Sequence, residues 1–184
     1  MRIVGGRLRG RPLATPPTDA IRPTSDRLRE TIFNVLAHAY GDPVEGARVM
    51  DLFAGTGAMA FEAISRGAVY ALMVDEAAAA RGLIRENVDR LGLGGSTRLF
   101  RRDATRLGPA GKNGAFGLVF CDPPYGRDLA GPALRSAAEG NWLEPGALAV
   151  VEERAGLFAF PSGFEESERR GSGETEIAVG RFLG

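Results

Sequence analysis

The residues richest in possible chemistry are Asp122-Pro123-Pro124-Tyr125, reached directly from the apolar run Leu118-Val119-Phe120-Cys121. The two prolines fix φ at about −65° and remove two N–H donors, so the backbone after Asp122 is stiff and presents carbonyl oxygens as acceptors. Such a site suits an amino group. One hydrogen goes to the Asp122 carboxylate and the other to a backbone carbonyl, that of Pro123 being the expected one. An aromatic NH₂ is a poor nucleophile because its lone pair is delocalised into the ring. Two acceptors pull the nitrogen toward tetrahedral geometry and localise that pair for attack on a nearby electrophile. Asp122 then takes the proton or passes it to water. Tyr125 offers a face for a flat base to stack on, worth about 1–3 kcal/mol. A loop that merely ends a buried strand needs no such combination of acid, prolines and aromatic.

A second constellation lies upstream. Asp51-Leu52-Phe53-Ala54-Gly55-Thr56-Gly57-Ala58-Met59-Ala60 contains G-x-G-x-x-G/A through Gly55, Gly57 and Ala60. Glycines there let a backbone pass close to a ligand, and free N–H groups at a helix start hold an anion or carboxylate. A tight strand–helix turn also requires glycine, so the loop alone is weak evidence. Asp51 sharpens it. A carboxylate just before the loop repels a pyrophosphate but holds an ammonium, which moves the expectation from a dinucleotide toward S-adenosylmethionine. Asp75 ends the next strand, where an acid accepts from ribose hydroxyls; a solvated loop carboxylate is the plainer alternative. Glu76 follows it and is expected to open a helix. Asp103-Ala104 follows a third strand and borders the same crevice, with Asp103 as acceptor for an adenine amino group or as an ion-pair partner of Arg101, Arg102 or Arg106.

These residues need a scaffold that brings strand ends together. Apolar runs at 48–53, 69–74, 97–100, 116–121 and 147–151 alternate with helical segments after Gly57, from Glu76 to Leu91 and over 129–138. That alternation predicts an α/β domain whose parallel sheet is covered on both faces. Segments 164–170 and 175–182 read as a final antiparallel pair joined by Gly171-Ser172-Gly173, for seven strands in all. An earlier helix starts at Thr24 or Ser25, buries Leu28, Ile32, Val35, Leu36 and Ala39, and leaves Arg27 and Arg29 off that stripe. Residues 1–20 read as a small basic β-hairpin extension on a main domain covering 21–184.

The 184 residues suit one domain plus a small appendage. One cysteine, Cys121, and one histidine, His38, exclude an intrachain disulfide and any Cys- or His-based metal cluster. Cys121 and Trp142 read as core, His38 as a surface residue near a helix end. No apolar run reaches membrane-spanning length and no secretory leader is evident, so a cytoplasmic protein without a metal is expected, with a monomer as the default. Net charge is zero but uneven. Residues 1–30 carry seven arginines against three acids, and residues 139–176 carry nine glutamates against three arginines. A polyanion is therefore the expected partner of the N-terminal end.

Three stretches carry a resemblance: Met1-Arg2-Ile3-Val4-Gly5-Gly6 with Arg9-Gly10-Arg11; Arg22-Pro23-Thr24-Ser25-Asp26-Arg27-Leu28-Arg29-Glu30 with Phe33-Asn34-Val35-Leu36; and Asp51–Gly57 with Ser65-Arg66-Gly67-Ala68. With Asp122–Tyr125 added, the chain resembles the bacterial small-subunit rRNA guanine-N2 methyltransferases, a branch of the class I S-adenosylmethionine-dependent enzymes. The resemblance implies a Rossmann-like fold and methylation of the N2 amino group of one guanine in 16S rRNA, of the guanine 966 type. It implies Asp122, Pro123, Pro124 and Tyr125 as catalytic residues. Asp51, Phe53, Ala54, Gly55, Thr56, Gly57, Asp75, Glu76, Asp103 and Ala104 would hold S-adenosylmethionine, and Arg2, Arg7, Arg9, Arg11, Arg22 and Arg27 would grip RNA. A base in structured RNA must also be turned out of its stack. The alternatives are amino methylation of DNA adenine or a protein glutamine, where Asn usually replaces Asp122, a nicotinamide enzyme using the glycine loop, and a non-catalytic RNA-binding assembly factor.

Overall fold

The computed structural model describes residues 1–17 and 24–184. In chain order the elements are α1 Asp26–Ala39, β1 Arg48–Leu52, α2 Ala58–Ser65, β2 Tyr70–Val74, α3 Ala78–Leu91, β3 Thr97–Phe100, β4 Phe116–Cys121, α4 Ala130–Glu139, β5 Leu143–Arg154, β6 Phe164–Ser172 and β7 Thr175–Phe182. The sheet order is β3-β2-β1-β4-β5-β7-β6. The first five strands are parallel, and β7 runs antiparallel between β5 and β6.

The strands are apolar throughout because both faces are covered. Alternate residues serve opposite cores. Val49, Leu118, Phe120 and Val150 join Ile32, Phe33 and Leu36 of α1 on one face. Met50, Leu52, Val119, Cys121 and Val151 join Ala133, Leu134 and Ala137 of α4, with Trp142, on the other. The chain reverses order at β1, so β1 and β4 are neighbours and their carboxyl ends border one crevice. Ser25 caps α1, its Oγ accepting from Leu28 N at 3.1 Å.

Five expectations change in detail, the first being Ala39 at the end of α1, which is exposed rather than on the buried face. Helix α3 starts at Ala78, so Glu76 stands exposed in the connection rather than in the helix. Strand β5 extends from Leu143 to Arg154, which carries Glu152 and Glu153 to the crevice end. Ser172 pairs with Thr175 and Gly171 with Glu176, so the last turn is the tight pair Gly173-Glu174. Arg29 is fully buried rather than off the helix stripe, because Glu62 of α2 meets it in the interior.

The N-terminal segment folds back on itself as expected, with one antiparallel bridge, Arg2 with Pro12, and backbone bonds from Ile3 N to Arg11 O at 3.0 Å and from Leu13 N to Met1 O at 3.1 Å. Contacts with the body add to its stability. Ile3 and Leu13 are in the core at 0% and 5% exposure. Val4 N and Gly5 N donate to the Glu62 carboxylate at 3.0 and 2.8 Å, and Arg7 N donates to Ser65 O at 2.8 Å. Gly6 has φ +74°, and a Cβ there would stand 1.9 Å from Ser65 O, so no larger residue permits this approach.

Candidate active site

The crevice is a cleft of about 1010 Å³ whose wall includes Asp51, Phe53–Thr56, Asp75, Glu76, Asp103 and all of Asp122–Tyr125. Most of the expected site residues therefore meet in one place. Gly57 and Ala104 support that wall without lining it. A Cβ on Gly57, at φ +81°, would meet the Phe61 ring at 2.5 Å, so glycine lets the loop seat on α2. Ala104 is buried under the short 3-10 turn Ala104–Arg106. Phe53 takes φ 58° without being glycine, a strained conformation held at the point where the strand turns into the loop.

Asp51 projects from the end of β1 and is 2% exposed. Its Oδ2 accepts a single backbone N–H, from Ala60 at 3.3 Å. Burial first, and then the charge of Asp75, push its pKa up to about 7. A buried carboxylate at a cavity wall with so little compensation is suited to a cationic group, and the ammonium of an amino-acid ligand is such a group. The residues present thus fit the amino-acid end of S-adenosylmethionine.

Asp75 already has two backbone donors, Gly55 N to Oδ2 and Ala77 N to Oδ1, both at 2.9 Å. It braces the glycine loop across the crevice, and an oxygen can still accept from a hydroxyl. Asp103 Oδ1 accepts from Thr105 N at 2.8 Å and from Thr105 Oγ1 at 2.7 Å. Chiefly the Thr105 hydroxyl bond holds its pKa below the usual value, with Arg106 adding to the effect. It stays a charged acceptor at neutral pH.

Asp122 stands at the end of β4 with Pro123 buried behind it and Pro124 exposed. Thr24 Oγ1 donates to its Oδ2 at 2.8 Å. Protein surrounds the carboxyl on most sides, and this desolvation, followed by the charge of Glu152, raises its pKa well above the carboxylate range. The Tyr125 hydroxyl donates to Glu152 Oε1 at 2.5 Å, which fixes the ring at the cleft wall. Two contributors are not evident from sequence. Thr24 is visible there only as a candidate cap, and Glu152 sits inside a strand longer than its apolar run. The tip of the last hairpin, Gly173-Glu174-Thr175, also lines the cleft.

Of the basic residues, Arg2, Arg7, Arg9, Arg11 and Arg27 are exposed, and Arg22 lies outside the described residues. Arg11 Nη2 donates to Arg90 O at 2.8 Å, so part of its guanidinium is committed to α3. His38 is exposed in the last turn of α1, while Cys121 and Trp142 are in the core. No cluster of three or more His, Cys, Asp or Glu placed to hold a metal occurs among the described residues. No helix among them is long and apolar enough to cross a membrane.

The fold and this cleft define a Rossmann-like class I methyltransferase architecture. A solved structure of the Thermus thermophilus protein TTHA0928 superposes with a TM-score of 0.76 at 33% identity, covering 97% of this chain and 98% of that one. The Escherichia coli protein yhhF, solved as a candidate methyltransferase, gives a TM-score of 0.84 at 30% identity over 100% of this chain and 98% of that one. The chain is 34% identical over 176 residues to ribosomal RNA small subunit methyltransferase D of Escherichia coli K12, covering 95% of this chain and 86% of the relative. The model of the family described as conserved hypothetical protein 95 matches residues 1–181. The chain belongs to that family, together with the ribosomal RNA small subunit methyltransferases D.

Proposed function

We propose that this chain transfers a methyl group from S-adenosylmethionine to the N2 amino group of a guanine in small-subunit ribosomal RNA, guanine 966 being the position that the family resemblance suggests. One observation carries the reading: Asp51 and Asp122, both pushed up in pKa chiefly by burial, open onto the same cleft from adjacent strands. One is suited to a ligand ammonium, the other to an amino group beside it.

Asp51 and the Gly55–Gly57 turn hold the amino-acid end of the cofactor, Asp75 its ribose and Asp103 its adenine amino group. When bound, S-adenosylmethionine supplies a methyl on a positively charged sulfur, which leaves as a neutral thioether as the carbon–sulfur bond breaks. Asp122 and the Pro123 carbonyl orient the base amino group, and the new nitrogen–carbon bond forms as its lone pair is freed. Asp122 accepts the released proton or hands it to water. Thr24 fixes the carboxylate, and Tyr125 supplies a stacking face. The proposed partner is ribosomal RNA, gripped by Arg2, Arg7, Arg9, Arg11, Arg22 and Arg27 of a cytoplasmic monomer.

Purified protein, labelled S-adenosylmethionine and small subunits or 16S rRNA from cells lacking the activity test this directly. Nucleoside digestion should yield labelled N2-methylguanosine. Label found only in adenine, or none at all with cofactor bound, would falsify the reading.

A further inference from the structure

A base amino group does not arrive alone. In guanine the N2 amino group sits beside N1–H, a second donor. In adenine the N6 amino group sits beside N1, an acceptor. A site that reads the edge next to the reacting nitrogen can therefore separate the two bases, and Asp122 has a neighbour on that edge.

Strands β4 and β5 are parallel, with Phe120 opposite Val150 and Cys121 opposite Val151. One residue further, just past the end of β4, Asp122 comes beside Glu152 of β5, close enough for the two carboxyl groups to hydrogen-bond. Alternation places both on the face of Phe120 and Val150, where Asp51 also stands, opposite Phe120 on β1. Glu152 is 6% exposed and is among the residues that line the cleft. The Tyr125 hydroxyl holds one of its oxygens at 2.5 Å. Tyr125 and Glu152 thus form one fixed unit, a ring face with a carboxylate at its rim.

We infer that Glu152 is the specificity-determining residue of the acceptor pocket, its carboxylate accepting N1–H of guanine while Asp122 holds the adjacent amino group. Two side-by-side acceptors match two side-by-side donors. Adenine would turn the N1 lone pair toward the Glu152 carboxylate, and a glutamine amide has no second donor to offer. A buried acceptor built for a donor rejects the analogue that lacks it, because both partners are then desolvated without a bond. The two carboxyl groups hydrogen-bond to each other as well as repel, which holds a proton on the pair, and the two donors of guanine take its place once that proton has left. The inference rests on the guanine-N2 reading above and deepens it.

The test uses RNA with 2-aminopurine at the methylated position, located first by labelling with the wild-type protein. 2-Aminopurine keeps the amino group but has an acceptor at N1. Wild-type protein should favour guanine over 2-aminopurine in kcat/KM by about 10²-fold or more. Glu152→Gln, which can offer N–H to that nitrogen, should narrow the preference to less than about tenfold. It should leave S-adenosylhomocysteine binding, a property of the Asp51 side, close to wild type. An undiminished preference in Glu152→Gln would overturn the inference. Equal use of the two bases by wild-type protein would overturn it too, without any variant having to fold. If wild-type protein methylates no guanine at all, the parent reading fails instead, so the two failures are distinct.

Discussion

Glu62 and Asp51 are both carboxylates with almost no exposure, at 0% and 2%, yet they sit in opposite circumstances. Glu62 accepts backbone N–H groups from Val4 and Gly5 and pairs with the guanidinium groups of Arg29 at 3.4 Å and Arg66 at 2.9 Å. Asp51 has one long bond from Ala60 N. Asp122 stands with Asp51, holding the Thr24 hydroxyl and facing a like charge. The first region shows what a buried acid looks like when it serves the fold: every side of it is answered. In the cleft the answering groups are left for a ligand to bring, and the cost appears as raised pKa values.

The largest effect expected from this contrast is on the chemistry. Asp122→Asn keeps the shape but not the charge, and should lower the rate of methyl transfer by about 10²–10⁴-fold. Binding of S-adenosylhomocysteine, read by calorimetry, should hardly change. The wild-type rate should climb with pH as Asp122 loses its proton, since the ionised form is the acceptor. A flat profile with slow chemistry confirmed would contradict that role.

On the structural side, Arg29→Met leaves Glu62 buried with one cation gone, and should cost about 3 kcal/mol or more in urea unfolding. Replacing the pair together, Arg29→Met with Glu62→Leu, often restores stability in buried ion pairs. Here it should not, because Val4 N and Gly5 N then lose their acceptor. Full recovery in the double variant would show that the arm does not depend on Glu62. Arg29 also donates to Thr24 O and Arg2 O, so the same guanidinium ties the arm to the start of α1, beside the residue that bonds Asp122.

Asp51 sets stability against binding. It holds its proton more tightly when folded than when unfolded, so the native state carries the extra proton between about pH 4 and about pH 7. Stability falls as pH rises through that window, by an amount on the order of 4 kcal/mol at most. Asp51→Asn should therefore raise Tm at pH 8 and change it little at pH 4. Ligand binding runs the other way, because the ammonium needs the ionised acid. The wild-type affinity for S-adenosylhomocysteine should be about tenfold weaker at pH 6 than at pH 8, and that dependence should vanish in Asp51→Asn. A pH-independent affinity in wild-type protein would show that Asp51 does not meet the ammonium.

The difference between the two regions also explains what can be read from the chain. Acids at the ends of apolar strands are legible, because strand–helix alternation puts those ends at one crevice, and Asp51, Asp75, Asp103 and Asp122 all arrive there. Compensation is not legible in the same way. Arg29 reads as surface charge because its partner, Glu62, lies 33 residues away on another helix. Glu152 reads as part of an acidic stretch until the register of β4 against β5 sets it beside Asp122. The pairing around Arg2 and Pro12 is legible as a hairpin, but nothing local says that Ile3 and Leu13 also bury their side chains in the body.

The smallest effect concerns the arm's outer face. Its inner face is the compensated region, anchored by Val4, Gly5, Arg7 N and Leu8 N. The side chains of Arg7 and Arg9 point away from that anchorage into solvent, so removing them should not disturb the fold. If they neutralise RNA phosphates, Arg7→Ala and Arg9→Ala should each reduce the slope of log K against log salt by about 0.7–0.9, with Tm unchanged. Arg11 is a poorer probe, since its bond to Arg90 O mixes a structural loss with the electrostatic one. An unaltered slope with weakened binding would assign the arm to shaping the cleft, through Arg29 and Thr24, and would leave the RNA contact to Arg27 and the other surfaces beside the cleft.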